Sequence, residues 1–251
     1  MTILCYHAVQ PGWSSPMTMT PQAFAEQCAW LARRRTVLPL QQAVDRLDRS
    51  GRLPRGMAAL TFDDGFVSVY DNALSHLVTH RLPATVFLVA QTLTAAGQRV
   101  DWVDDPPDQD LVTLSVDQVQ EMQAAWVSFE SHSYAHTDLT TLSFEDCVRD
   151  LRESRELLES LLGHPVRLLA YPRGRHNEDV RAAARQAGYS HAFTLPESRE
   201  PVGPYAVPRV GLYQGNGLAE LRVKSARSYL PMRTGRAYEM VRRARRTTGV
   251  A

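Results

Sequence analysis

A parallel α/β architecture is predicted by three features of the sequence. Short apolar runs rich in β-branched residues recur along the chain, amphipathic segments of helical spacing lie between them, and the two kinds alternate regularly. The runs fall at 2–6, 57–62, 84–90, 126–130, 166–171 and 191–195, and the helical segments at 21–34, 39–49, 66–80, 115–125, 143–163 and 176–187. Six or seven such units build either a closed barrel or a doubly wound open sheet.

Taken in order, the chain opens on TILCY, which reads as a buried strand and not as a secretory leader, since no basic segment or long apolar stretch accompanies it. MAALTF and ATVFLVA are uninterrupted apolar runs, as strands covered on both faces require. WVSFE, VRLLAY and HAFTL continue the series. The clearest helix is 143–163: Ser143 caps it, Leu151, Leu157, Leu158, Leu161 and Leu162 form its apolar stripe, and Gly163 stops it. Gly188 ends the following helix in the same way. The polar, Pro-rich stretch 97–113 follows a strand and reads as a long loop, either contributing to a site or running idly over the surface.

With 44% hydrophobic residues and a net charge of +1, the 251-residue chain is excluded from the disordered class, and its charge balance gives no reason to expect nucleic acid. No run of apolar residues is long enough for a membrane-spanning helix. Three cysteines, Cys5, Cys28 and Cys147, fit neither a disulfide framework nor a CxxC metal motif, and with the absent leader they predict a cytoplasmic protein. No linker or internal repeat divides residues 1–232, which are expected to form one domain. Residues 233–251 form a basic tail. Tyr238, Met240, Val241 and Ala244 could line one face of a helix there, making either a weak membrane-surface contact or a solvated end.

Four strand ends carry candidate chemistry. Asp63 and Asp64, in TFDDG, place adjacent carboxylates at the edge where α/β folds bind ligands, and a cation beside them would relieve their repulsion. His132 and His136, in ESHSYAH, are spaced to share one metal. One Asp with two His supplies three ligands and leaves positions open, as a catalytic metal site requires. The Pro-x-Gly turn of AYPRG could aim a main-chain N–H at the same rim, and His7 ends the first strand.

TFDDG, HSYAH and AYPRG, in this order, resemble the first three motifs of the polysaccharide deacetylase family, the NodB-homology carbohydrate esterases, and the similarity runs over most of residues 3–212. The resemblance implies a distorted (β/α)7 barrel and removal of N-acetyl groups from N-acetylhexosamine-containing glycans or glycosides. It implies a divalent metal on Asp64, His132 and His136, usually zinc, with cobalt, nickel, iron or manganese as other occupants. Asp63 would be the general base, and the Tyr171 backbone N–H would sit in the oxyanion hole. The chain lacks the late Asp-x-x-Asp-Trp and Leu-x-His motifs of many relatives. Its opening YH strand resembles the poly-N-acetylglucosamine deacetylases, in which the early histidine is the general acid, and this assigns that role to His7. Arg209 is read either as orienting Asp63 or contacting substrate, or as a surface residue. Trp102, in the 97–113 loop, is a candidate for stacking on a sugar ring. Two rival functions are a same-fold hydrolase of another small-molecule amide or imide, and a catalytically silent carbohydrate-binding or scaffold protein.

Overall fold

The computed structural model describes residues 2–51, 55–107, 111–196, 198, 200 and 202–235. Its strands are β1 (Thr2–Tyr6), β2 (Ala8–Val9), β3 (Thr18–Met19), β4 (Thr36–Val37), β5 (Met57–Phe62), β6 (Ala84–Leu88), β7 (Val127–Ser131), β8 (Leu168–Ala170), β9 (His191–Thr194), β10 (Val207–Pro208) and β11 (Val210–Gly211). Its helices are α1 (Pro21–Arg34), α2 (Leu40–Ser50), α3 (Val67–Asn72), α4 (Leu74–His80), α5 (Val116–Ala124), α6 (Phe144–Leu162), α7 (Glu178–Gln186), α8 (Leu218–Lys224) and α9 (Tyr229–Arg233).

All pairings between these strands are parallel, and the main sheet runs β10-β9-β8-β7-β6-β5-β1-β11, with β4 beside the start of β5. Its two ends are pieces of one segment. Val207 pairs with Phe193 of β9, while Val210 pairs with Leu4 of β1. The segment 207–211 therefore joins both edges and closes the sheet, with Arg209 at the seam. Counted as one stave beside β1, β5, β6, β7, β8 and β9, it completes the (β/α)7 barrel.

Strand periodicity sorts the side chains into two layers. Ile3, Ala59, Phe87, Leu168, Phe193 and Val207 pack together inside the barrel, and α2 adds Leu40, Ala43 and Val44 as a plug. Leu4, Leu60, Phe62, Val86 and Phe129 face outward into the larger core against the helices. The helix signals act as read: Ser143 Oγ accepts the Asp146 N–H at 3.1 Å, and Gly163 ends α6 in the left-handed region at φ 73°. The segment expected as one helix over 66–80 is instead two, because Ala73 departs to φ −104° between α3 and α4.

The expected domain boundary after residue 232 falls one residue before the end of α9. Beyond Gly235 the basic tail, with Tyr238, Met240, Val241 and Ala244, lies outside the described residues. Among the described residues no helix is long and apolar enough to cross a membrane.

Candidate metal centre and active site

The inward alternation that builds the barrel core also builds the site. Cys5 and His7 follow Ile3 on the inner face at the end of β1, and Thr61 and Asp63 follow Ala59 at the end of β5. His132 follows β7, Arg173 and Gly174 follow β8, and Arg209 is the seam residue. Carboxyl ends of barrel strands are where such folds gather catalytic groups. The turns leading off these ends are tightly constrained. Of the six described non-glycine residues at positive φ, four are Asp64, Ser133, His136 and Arg173. Such conformations are uncommon and cluster at functional sites.

Asp64, His132 and His136 converge, each buried, with one ligand atom apiece lying within 4.8 Å of the others. Asp64 Oδ1 is 3.2 Å from His136 Nε2 and 3.6 Å from His132 Nε2. His132 Nδ1 lies 2.8 Å from the Ala170 carbonyl, which fixes it as the protonated nitrogen and turns a lone pair at Nε2 toward Asp64. Burial pushes His132 down to about 4, so the ring is neutral at pH 7, as a metal ligand must be. Asp64 Oδ2 is buried without a hydrogen-bond partner among the described residues. An unsatisfied buried carboxylate oxygen beside two imidazoles fits a divalent cation, and the Asp/His donor set suits zinc.

Asp63 is held differently. Arg209 donates to its two oxygens at 2.6 and 2.7 Å, and both residues are buried. Burial alone would raise the Asp63 pKa, but the Arg209 guanidinium outweighs it and keeps the carboxyl ionised well below the usual range. The Cys5 thiol donates to Asp63 Oδ2 at 3.4 Å, and His7 Nε2 lies 4.0 Å from the same oxygen. Cys5, His7 and Asp63 are also close enough to chelate an ion. That second grouping makes a poor metal site, because Arg209 already occupies Asp63 and burial pushes the Cys5 thiol well above its ordinary pKa. Arg209 is thus no surface arginine. It bridges to Thr61 Oγ1 at 3.2 Å and lies over the Phe87 ring at 5.2 Å.

A cleft of about 220 Å³ opens over these groups, lined by His7, Asp63, Asp64, His132, His136 and Arg173 among others. Trp102, Val103 and Asp104 of the 97–113 loop form one wall, so that loop contributes to the site. Trp102 does not present a free stacking face on both sides. Its ring stacks on His136 at 4.9 Å, and its Nε1–H donates to Asp64 Oδ1 at 3.2 Å.

Tyr171 is corrected by the geometry. Its N–H donates to the Phe193 carbonyl at 3.1 Å and its side chain is fully buried, bonded to the Tyr205 carbonyl and stacked on His176. An amide spent on the β8–β9 pairing cannot also face an oxyanion. Arg173 and Gly174 of this turn, in the one-turn helix Pro172–Gly174, line the cleft; Pro172 has no N–H and the Gly174 N–H donates to the Tyr171 carbonyl at 2.9 Å, so the Arg173 N–H is the amide of the turn without a backbone partner among the described residues.

Comparison with known proteins gives the family. Residues 50–192 match the family model described as polysaccharide deacetylase, more than half of the chain, and the protein belongs to that family. The poly-beta-1,6-N-acetyl-D-glucosamine N-deacetylase of Staphylococcus epidermidis is 29% identical over 210 residues, covering 77% of this chain and 67% of that one. Among solved structures, IcaB from Ammonifex degensii superposes with a TM-score of 0.74 at 25% identity, covering 89% of this chain and 96% of that one. The Streptococcus pyogenes deacetylase PplD, solved in complex with acetate, has the same fold, with a TM-score of 0.74 at 22% identity over 90% of this chain and 98% of that one.

Proposed function

We propose that this polysaccharide deacetylase is a metal-dependent N-deacetylase of N-acetylhexosamine units, with the metal held by Asp64, His132 and His136. The observation that carries the reading is the convergence of those three buried ligands beside an ionised Asp63 in one cleft. The relative named for poly-beta-1,6-N-acetyl-D-glucosamine supports an amino-sugar polymer or oligomer as the substrate class. A divalent ion of the zinc type, when bound, polarises an acyl oxygen and acidifies water.

The chain's own groups divide the remaining work. Asp63 accepts the proton of the attacking water, and Arg209 fixes the direction of its carboxylate. Because Arg209 also depresses Asp63's basicity, Asp63 serves best for a water already acidified. His7, at the cleft wall 4.0 Å from Asp63 Oδ2, delivers a proton to the departing amine. The Arg173 N–H, replacing Tyr171 in that role, donates to the developing oxyanion, a contribution of about 10²–10³ in rate. Trp102 steadies Asp64 and His136. Acetate release from N-acetylglucosamine oligomers, measured with wild type and Asp63→Asn, tests the reading. Release by wild type that falls at least about 10²-fold in the variant supports it, and no release from any N-acetylated sugar refutes it.

A further inference from the structure

A second, larger cleft of about 360 Å³ adjoins the first and shares Arg173, Leu195 and Tyr213 with it. Its lining is strongly cationic. Arg173, Arg209, Lys224 and Arg233 contribute to it, and among the described residues no carboxylate lines it. Arg209 is neutralised from the barrel side by Asp63, and Arg173 and Lys224 flank the cleft from opposite sides.

Lys224 is built into this wall. Its ammonium donates to the Gly211 carbonyl at 2.8 Å and to Asn216 Oδ1 at 2.7 Å, and lies 4.9 Å over the Tyr213 ring. Two of its three N–H groups are thereby used, and one remains for a ligand. Burial and the nearby Arg233 cation both work against its charge, with Glu220 the acid that opposes them. Arg173 comes from the other side, its guanidinium exposed and tied to the loop by a long bond of 3.4 Å to the Trp102 carbonyl. Like charges gathered around a cleft at the mouth of a catalytic site are stabilised by an anion placed between them.

We infer that this cleft is an oxyanion subsite of the enzyme, and that the preferred substrate is an N-acetylated sugar carrying a phosphate or carboxylate on the portion beside the reacting unit. This rests on the deacetylase reading for the reacting sugar, while the anion site itself does not. Arg173 would then join the two clefts, its backbone serving the acetyl group and its guanidinium the anion.

Two measurements separate the ideas. The first is binding of inorganic pyrophosphate by calorimetry, with and without added zinc, to wild type, Lys224→Gln and Arg173→Gln. Zinc-independent binding, weakened about tenfold in each variant, is expected for loss of one charge-assisted contact. No zinc-independent binding to wild type overturns the inference. The second is the ratio of kcat/KM for a phosphate- or uronate-bearing N-acetylglucosamine oligomer to that for the neutral oligomer. The expected ratio is about ten or more, falling to within about twofold of one in both variants. The better of the two charged substrates identifies the anion. Equal turnover of charged and neutral oligomers overturns the substrate class, although deacetylation stands. If no oligomer is hydrolysed while pyrophosphate binds as expected, the deacetylase reading fails and the anion site remains.

Discussion

Arg209 and Asp63 lock together across the seam of the barrel, through two hydrogen bonds of 2.6 and 2.7 Å between fully buried groups. The segment that closes the sheet therefore also sets the carboxylate next to Asp64, one of the proposed metal ligands. Barrel closure and catalytic geometry are one interaction.

Breaking that pair leaves a buried carboxylate uncompensated. Arg209→Met is expected to lower stability by about 3–5 kcal/mol, and Asp63→Asn combined with Arg209→Met to recover part of that loss while remaining inactive. Denaturant titration of both variants alongside wild type checks this. A single variant as stable as wild type would show that the pair does not hold the seam.

Trp102→Phe keeps a ring against His136 but removes the donor to Asp64 Oδ1. Groups that orient metal ligands are typically worth about 10–100-fold in metal affinity, and a weakening in that range is expected by zinc titration. Unchanged affinity would make the indole N–H incidental.

Gly174 sits at φ +67°, and a Cβ there would lie 2.8 Å from both the backbone nitrogen and the Cβ of Leu195. Gly174→Ala is expected to cost about 1–3 kcal/mol and to lower kcat by moving the turn that carries Arg173. Melting curves and acetate release, measured together, distinguish this from a neutral surface change.

Lys224 is pushed down to about 8, chiefly by burial and then by Arg233. Its folded-state pKa lies below its unfolded value of 10.5, so between those values the unfolded chain binds the extra proton. Stability contributed at this position is therefore expected to rise as pH increases from about 8 toward 10, and to be flat below 8. The difference between wild-type and Lys224→Met unfolding free energies across that window reads the effect, and a difference that falls instead reverses the sign.

The regular alternation in the sequence made most of the barrel legible, because β1, β5 and β6 are largely apolar runs and α1, α5, α6 and α7 carry side-chain N-caps at Thr20, Ser115, Ser143 and Asn177. The closing stave was not legible. Val207–Pro208 and Val210–Gly211 are two-residue pairings, the second with Leu4 and Cys5 at the other end of the sequence, and no periodicity can show in so short a stretch. Arg209 consequently remained divided between a catalytic and a surface role until the seam placed it inside. Asp64, His132 and His136 were legible from residue type and spacing at strand ends. Tyr171 was misassigned because a Tyr-Pro-Arg-Gly turn does not reveal which amide the neighbouring strand consumes, and here Phe193 takes that of Tyr171. Cys5 gave only a buried-strand signal, and its thiol contact with Asp63 emerges from the alternation of β1 against β5. Trp102 was found in the right loop, but its partners are His136 and Asp64, both supplied by other strand ends.

The most direct test of the central claim is acetate release from an N-acetylglucosamine oligomer during stepwise zinc addition to chelator-treated protein, with Asp64→Ala in parallel. The account predicts a rate that climbs to one equivalent of zinc and then levels, with the variant inactive throughout. Full activity in the chelated protein, or in Asp64→Ala, would contradict it.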